Sequence, residues 1–352
     1  MLGEHLKIQS RVNSDYTDEQ LLLIKEMGIK YVYVIFSDED SNYESVMRFM
    51  DRLDKFGLTC TDAGNVGIYK SPAIHLGLPG RDEAIERFND FNRVLAKAGI
   101  HIGYMTWEPN KVLTSKWAVG EYTRGAVARI VDIDDLAKRP YTHGRLYTKE
   151  EMWDNFKYFL DRVLPVCEDI DMKLALHPND PPVDCLCGIS NLITSSADYK
   201  HAFELAGNSP YLGMKMCIGC WLEGGENFGN VLEDIKYFVE NKKVLCVHFR
   251  NVSSPMPQFE ETLLEDGYMN MYEIMKKFEF TGETKTISLF FRTATLHRIR
   301  AVAEFGLVKI GDLGGWIEKE ENLSHEGKAW VWGDAEVWGD AEVWGDAEVW
   351  GD

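Results

Sequence analysis

An α/β barrel of the (β/α)8 type, without its native last strand and with a small C-terminal β-solenoid of hexapeptide repeats, is the fold this sequence predicts. Three observations predict it. Short apolar runs alternate with longer amphipathic ones seven times before about residue 276, which implies a parallel sheet because parallel neighbours need crossover helices. No glycine-rich dinucleotide fingerprint opens the first unit, and seven units approach the eight of a barrel. Residues 331–352 repeat a six-residue unit. A doubly wound open sheet is the alternative for the first part.

In order, Leu6–Val12 is the first strand candidate, and Thr17–Met27 is a helix pattern opened by a threonine with an acid after it. Tyr31–Phe36 is rich in β-branched and aromatic residues and reads as a second strand. Tyr43–Phe56 is a helix ended by Gly57, and Leu58–Asn65 a third strand. Arg81–Ala98 carries apolar residues at helical spacing and stops at Gly99, before a fourth strand at Ile100–Trp107. Residues 108–148 break the rhythm with Pro109, Gly120, Gly125, Pro140 and Gly144, and with Arg124, Arg129, Arg139 and Arg145. A loop this long points to function or disorder. Lys149–Ile170 is a long amphipathic helix, and Met172–His177 is strand five. Helix Ala197–Ala206, strand Leu212–Ile218, helix Asn227–Glu240, strand Val244–Phe249 and a helix around Met269–Lys277 come next.

The chain of 352 residues exceeds the size at which one core is the rule. The expected division is a barrel over residues 1–276 and a connector with repeats over 277–352. A net charge of −19 argues against nucleic acid and anionic membrane as partners. Met1–Arg11 has no basic, apolar leader, and no run approaches the ~20 apolar residues of a membrane span. Seven cysteines, an odd number, fit a reducing cytoplasm better than a disulfide framework.

In the repeats, Val331-Trp332-Gly333-Asp334-Ala335-Glu336 recurs twice more and trails off at Val349–Asp352. One β-branched residue per six reads as one face of a coil, with valine inward and Gly-Asp at the corners. Three and a half repeats make little more than one turn, so the tail is expected to be incomplete or frayed unless it self-associates into a homo-oligomer, for which the expected exposure of Trp338, Trp344 and Trp350 gives a route.

Three metal-ligating side chains fall at the carboxyl ends of successive predicted strands: His177, Cys217 and His248. A parallel barrel brings those ends to one mouth, and imidazole with thiolate suits zinc, iron or manganese in differing degrees. A histidine bonded inside the barrel, a small core cysteine and a strand-capping histidine are the alternative readings. Cys217-Ile218-Gly219-Cys220 has the spacing of a redox or zinc pair. It is discounted because such pairs work at a helix start or beside a second pair. Cys185 and Cys187 match no common site.

His177-Pro178-Asn179-Asp180-Pro181-Pro182, Met216-Cys217-Ile218-Gly219, Val247-His248-Phe249-Arg250-Asn251 and Asp266–Glu273 resemble mannonate dehydratase, in the same order. The resemblance covers about residues 1–276 and is loose in its first half. It implies a xylose-isomerase-like TIM barrel that removes water from D-mannonate to give 2-dehydro-3-deoxy-D-gluconate. It also implies a divalent metal, Mn2+ first with Fe2+ or Zn2+ open, held by His177, Cys217 and His248. Arg250 becomes a candidate for the carboxylate of a small sugar-acid substrate. His143, Tyr122 and Asp180 are the candidates for proton transfer.

The family closes its barrel with a Pro-Asp-His-Gly strand end whose acid and histidine complete the site, and nothing after Glu273 matches it. Instead Leu296–Arg300, Gly311–Glu318 and Val331–Asp352 resemble phage- and bacterial-type proteins with hexapeptide repeats. Thr286–Phe291 could stand in as an eighth strand, putting Arg292 where the family has an acid. A sugar isomerase or epimerase of the same fold, and a non-catalytic assembly module carrying a remnant barrel, are the rival functions.

Overall fold

The protein is described by a computed structural model for residues 6–110, 113–280, 284–288, 292–301, 304–309 and 311–351. Two compact units emerge. One comprises Gln9–Asp234 with Asn241–Met271, the other Met1–Ile8, Ile235–Glu240 and Tyr272–Asp352.

The first unit is built on a seven-stranded parallel sheet whose strand order follows the chain. Its strands are Gln9–Asn13, Tyr31–Ile35, Thr59–Gly64, Ile102–Thr106, Lys173–His177, Leu212–Cys217 and Val244–His248. All seven expected strands form at their expected places. The local signals explain why the connecting helices begin where they do. Thr17 caps Asp18–Glu26 in a capping box with Gln20, Thr148 caps Lys149–Asp169, and Ser195 caps Ser196–Leu205. Leu174, Ala175, Leu176, Leu212, Met214 and Met216 are wholly buried, as strands covered on both faces require.

Three expectations are corrected. The long stretch after the fourth strand is ordered: Lys116–Val119 and Val127–Asp132 form a hairpin, and Gln258–Thr262 pairs with its second strand. Asn251–Val252 completes an antiparallel sheet of four strands. The helix expected from Asn227 begins at Val231, and a short helix, Ile218–Gly224, precedes it where none was expected. Finally, Thr284–Ser288 pairs antiparallel with Thr293–Arg300 rather than extending the barrel sheet, and residues 289–291 lie outside the described ones. A short hairpin loop closes at less entropic cost than a long crossover, which favours that local partner. Among the described residues, then, no eighth strand joins the parallel sheet.

In the second unit, Leu313–Ile317 pairs with Thr293–Arg300 on one side and, in parallel, with Glu336–Val337 on the other. Leu323–Gly327 pairs in parallel with Val343–Gly345, and Trp330–Trp332 with Glu348–Trp350. Partners such as Leu323 and Val343, or Val331 and Val349, are therefore about three six-residue repeats apart. Val331, Val337 and Val343 are buried with Ile299, Ile317 and Trp330, whereas Trp338, Trp344 and Trp350 are exposed. Trp350 stacks on Trp332 at 4.8 Å and 11°. Among the described residues no helix is long and apolar enough to cross a membrane.

One buried group ties the stability of the first unit to pH. His75 is 2% exposed and lies 4.3 Å from the Trp107 ring. Burial, with the charge of Lys70 adding to it, lowers its pKa to about 3. The unfolded chain takes up the imidazole proton below about pH 6.5 and the folded chain does not, so stability falls as pH drops from 6.5 towards 3. Between pH 7 and pH 5 this group should withdraw about 2 kcal/mol. Urea unfolding of His75→Asn at both pH values should show a difference smaller by that amount than in the parent chain; an unchanged difference refutes the assignment.

Candidate metal centre

His177, Cys217 and His248 are each the last residue of a barrel strand. The parallel register sets Cys217 directly beside His248. His248 Nδ1 lies 3.4 Å from His177 Nε2 and 3.4 Å from Cys217 Sγ. Donors about 2.0–2.3 Å from one tetrahedral ion stand roughly 3.3–3.6 Å apart, so this spacing fits a shared cation. His177 Nδ1 is 2.7 Å from the Pro178 carbonyl, which can only accept. The proton therefore sits on Nδ1, and Nε2 presents its lone pair to the other two donors. His177 and Cys217 are buried and His248 is exposed, leaving the group open on one side.

Beside the three donors lies a buried ion network centred on Arg250. Its Nη2 is 3.1 Å from Asp180 Oδ2, and its Nη1 is 2.6 Å from Glu223 Oε1 and 2.8 Å from Glu261 Oε1. The same Nη2 reaches Cys217 Sγ at 3.6 Å and Cys220 Sγ at 3.8 Å. Arg129, from the second strand of the hairpin, forms an ion pair with Asp180, its Nη1 2.7 Å from Oδ1. Burial pushes the Asp180 carboxyl up, but Arg129 and Arg250 together outweigh it and hold the group below the usual carboxylate range. Glu223 is wholly buried; burial pushes its pKa well up, and Asp180 adds to the rise while Arg250 opposes it. Cys217 is also pushed up by burial, yet the hydrogen bond with Cys220 and the charges of His248 and Arg250 bring it well below the ordinary thiol value.

The loop after the fifth strand is tied down on several sides. The Asn179 side chain donates to the Trp107 carbonyl at 2.9 Å and accepts from the Ile193 N–H at 2.9 Å. The Asp180 N–H donates to Glu108 Oε1 at 3.2 Å, and Glu108 in turn pairs with Lys70. Gly219 is required for a steric reason: a Cβ there would run into the Arg250 guanidinium. Asn251 is fully buried and donates to the carbonyls of Leu264 and Met269, each at 2.8 Å, which ties down the segment between them.

The D-mannonate dehydratase (UxuA) family profile matches residues 132–293. Mannonate dehydratase of Thermotoga petrophila is 30% identical over 274 residues, covering 68% of this chain and 74% of that protein. The chain belongs to the mannonate dehydratase family. The crystal structure of mannonate dehydratase from Streptococcus suis aligns with TM-score 0.71 at 23% identity, over 80% of this chain and 82% of that one. A xylose isomerase domain protein from Planctomyces limnophilus aligns with TM-score 0.53 at 13% identity, over 79% and 88% of the two chains. The fold is thus of the xylose-isomerase-like TIM-barrel class.

Within this family member the structure gathers some of the sequence-derived candidates and separates others. Asp180 enters the network, and Arg250 is neither a surface ion-pair residue nor free: it already faces three carboxylates. Tyr122 is 43% exposed and engages Glu260 through its backbone N–H. His143 is half-buried, with Nδ1 3.0 Å from Thr142 Oγ1. Among the described residues neither makes a hydrogen bond or ion pair with the three donors. Arg129, Glu223 and Glu261 are the members that sequence reasoning missed. Glu223 stands three residues after Cys220, a helical spacing that puts it near that thiol, but it signals only once a helix at 218–224 is expected.

The contact between Gly219 and Arg250 gives a quantitative test. Gly219→Ala should cost about 1–3 kcal/mol by overpacking, and Arg250→Met about 3–5 kcal/mol by leaving buried carboxylates unpaired. In the double variant the alanine has no guanidinium to meet, so its cost should vanish. Urea unfolding of the two single variants and the double one measures this; additive losses refute the contact.

Proposed function

We propose that this chain is a divalent-metal-dependent hydro-lyase of D-mannonate, giving 2-dehydro-3-deoxy-D-gluconate, with an incomplete site and correspondingly low turnover. The convergence of His177, Cys217 and His248 at 3.4 Å spacings on the carboxyl side of the sheet carries the reading. When bound, a divalent cation supplies Lewis acidity to a sugar acid's carboxylate and hydroxyl. Mn2+ is the cation that family membership favours, and the thiol donor also admits Fe2+ or Zn2+.

The protein's own groups divide the remaining work. His177 and His248 offer ring nitrogens, and Cys217 offers a sulfur that the Arg250 guanidinium touches. Arg250 meets a substrate carboxylate only by exchanging a partner, and Glu261 is the one partner with appreciable exposure, at 29%. Asp180, clamped between two guanidiniums, is suited to orienting Arg250 rather than to accepting a proton. Proton transfer then falls to His143, Tyr122 or water, which is a weak provision. The Asp-His pair expected of the family's closing strand has no counterpart among the described residues, where Thr284–Ser288 turns to its own hairpin partner.

For the C-terminal residues the parallel pairings three repeats apart support a short β-solenoid on residues 277–352, separate in origin from the barrel at 1–276. The exposed tryptophans support self-association of this tail. The free state of all seven cysteines fits a cytoplasmic location.

Purified chain should take up Mn2+, Fe2+ or Zn2+, and His177→Ala should lose that uptake, as measured by metal analysis after gel filtration. D-mannonate turnover should lie at least about 100-fold below that of the Thermotoga petrophila relative, since a positioned acid or base supplies 10²–10⁴ in rate. Turnover equal to the relative's would overturn the incomplete-site reading. Turnover of neutral ketoses instead of D-mannonate would make the chain an isomerase or epimerase.

A further inference from the structure

The Cys217-Ile218-Gly219-Cys220 motif does sit at a helix start. Cys217 is both the last residue of its strand and the N-cap of Ile218–Gly224, and Cys220 lies in the first turn of that helix. The ground for discounting the pair is thereby removed. One guanidinium nitrogen, Arg250 Nη2, touches both sulfurs, at 3.6 and 3.8 Å, and the absence of a side chain at Gly219 is what lets it approach.

The two cysteines differ in their surroundings. Cys217 belongs with His177 and His248, whereas Cys220 stands with Asp180 and Glu223. That second group already holds the guanidinium of Arg250, with Arg129 alongside, so its cation place is filled and Cys220 is not needed as a ligand there. Cys220 is therefore a thiol with no ligand duty, sharing its Arg250 Nη2 contact with a thiol that has one. Both sulfurs are wholly buried, and Cys217 Sγ is 3.4 Å from the exposed His248, the side from which a small oxidant would have to approach.

We propose that Cys217 and Cys220 form a thiol–disulfide pair closed by a peroxide, and that closure withdraws Cys217 from the metal. The proposal rests on the metal-centre reading of His177, Cys217 and His248. The Cys217 thiolate attacks one peroxide oxygen; the O–O bond breaks, Cys217 becomes a sulfenic acid, and the departing hydroxide takes up the proton the thiol had released and leaves as water. Cys220 sulfur then attacks the sulfenic sulfur; the S–S bond forms and the hydroxyl departs as a second water with the Cys220 proton. Two thiols lose two electrons and the peroxide gains them. Arg250 favours the attacking thiolate and steadies both sulfurs. Since one sulfur cannot serve both bonds, metal and disulfide exclude each other, and each must weaken the other by the same factor.

The test uses the full chain, chelator-stripped or loaded with Mn2+, exposed to hydrogen peroxide and followed by intact mass and peptide mapping. The stripped chain should lose two hydrogens and yield a Cys217–Cys220 crosslinked peptide. Loading with Mn2+ should slow this by about ten-fold or more, the closed chain should bind Mn2+ at least about ten-fold less tightly, and dithiothreitol should reverse both. In Cys220→Ser the reaction should stop at the sulfenic acid, and dimedone should label Cys217. Free thiols at both positions after peroxide, or a closed pair that still takes up Mn2+ as tightly as the reduced one, would overturn the proposal. A reduced chain that binds none of Mn2+, Fe2+ or Zn2+ but still closes this disulfide would sink the metal centre while leaving the pair standing.

Discussion

A buried guanidinium must be matched by charge and hydrogen bonds, and Arg250 draws on three separate segments, since the Cys217–Cys220 sulfurs and Glu223 belong to one short helix and its N-cap. Asp180 comes from the loop after the fifth barrel strand, Glu223 and the sulfurs from the helix after the sixth with its N-cap, and Glu261 from the antiparallel sheet. Removing any one partner would leave charge stranded away from water, which costs far more than the pair contributes to stability when intact. Such a network is therefore better understood as fixing geometry. It holds Cys217 at hydrogen-bond range from His248 and Asp180 against Arg129.

The parallel sheet does the complementary work. Because neighbouring strands run the same way in register, residues at equivalent positions along the sequence rhythm end on one side. Cys217 opposite His248 and Thr106 opposite His177 result directly from that. The chemistry then depends on the segment leaving each strand, and here the chain is uneven. The fifth and sixth strands lead into tightly bonded turns. After the seventh, the chain contributes Arg250 and Asn251 and then enters the antiparallel sheet. The next described strand, Thr284–Ser288, belongs to another sheet. Family membership and site completeness are thus separate matters in this protein.

The C-terminal unit obeys different physics. Its strands are short and pair in parallel about three six-residue repeats apart, with Val331, Val337 and Val343 making a narrow core. Gly315 shows how little room there is, since a Cβ would strike Val331.

What the sequence determined by itself was whatever short-range physics writes plainly. Apolar periodicity set the seven strands and most helices, threonine and serine caps marked their starts, and three donors at strand ends announced a shared site. Tertiary structure alone decided the charge network, because Arg129 and Arg250 look like ordinary surface cations until a hairpin buries one and a glycine admits the other. The hairpin itself was hidden in a stretch whose glycines and prolines resemble an unstructured loop. The helix start at Cys217 was equally invisible, for an apolar run of Met216 to Leu222 has no period that separates the end of a strand from the beginning of a helix. Long-range burial changes what a charged or sulfur-bearing residue can do, and no local pattern records it.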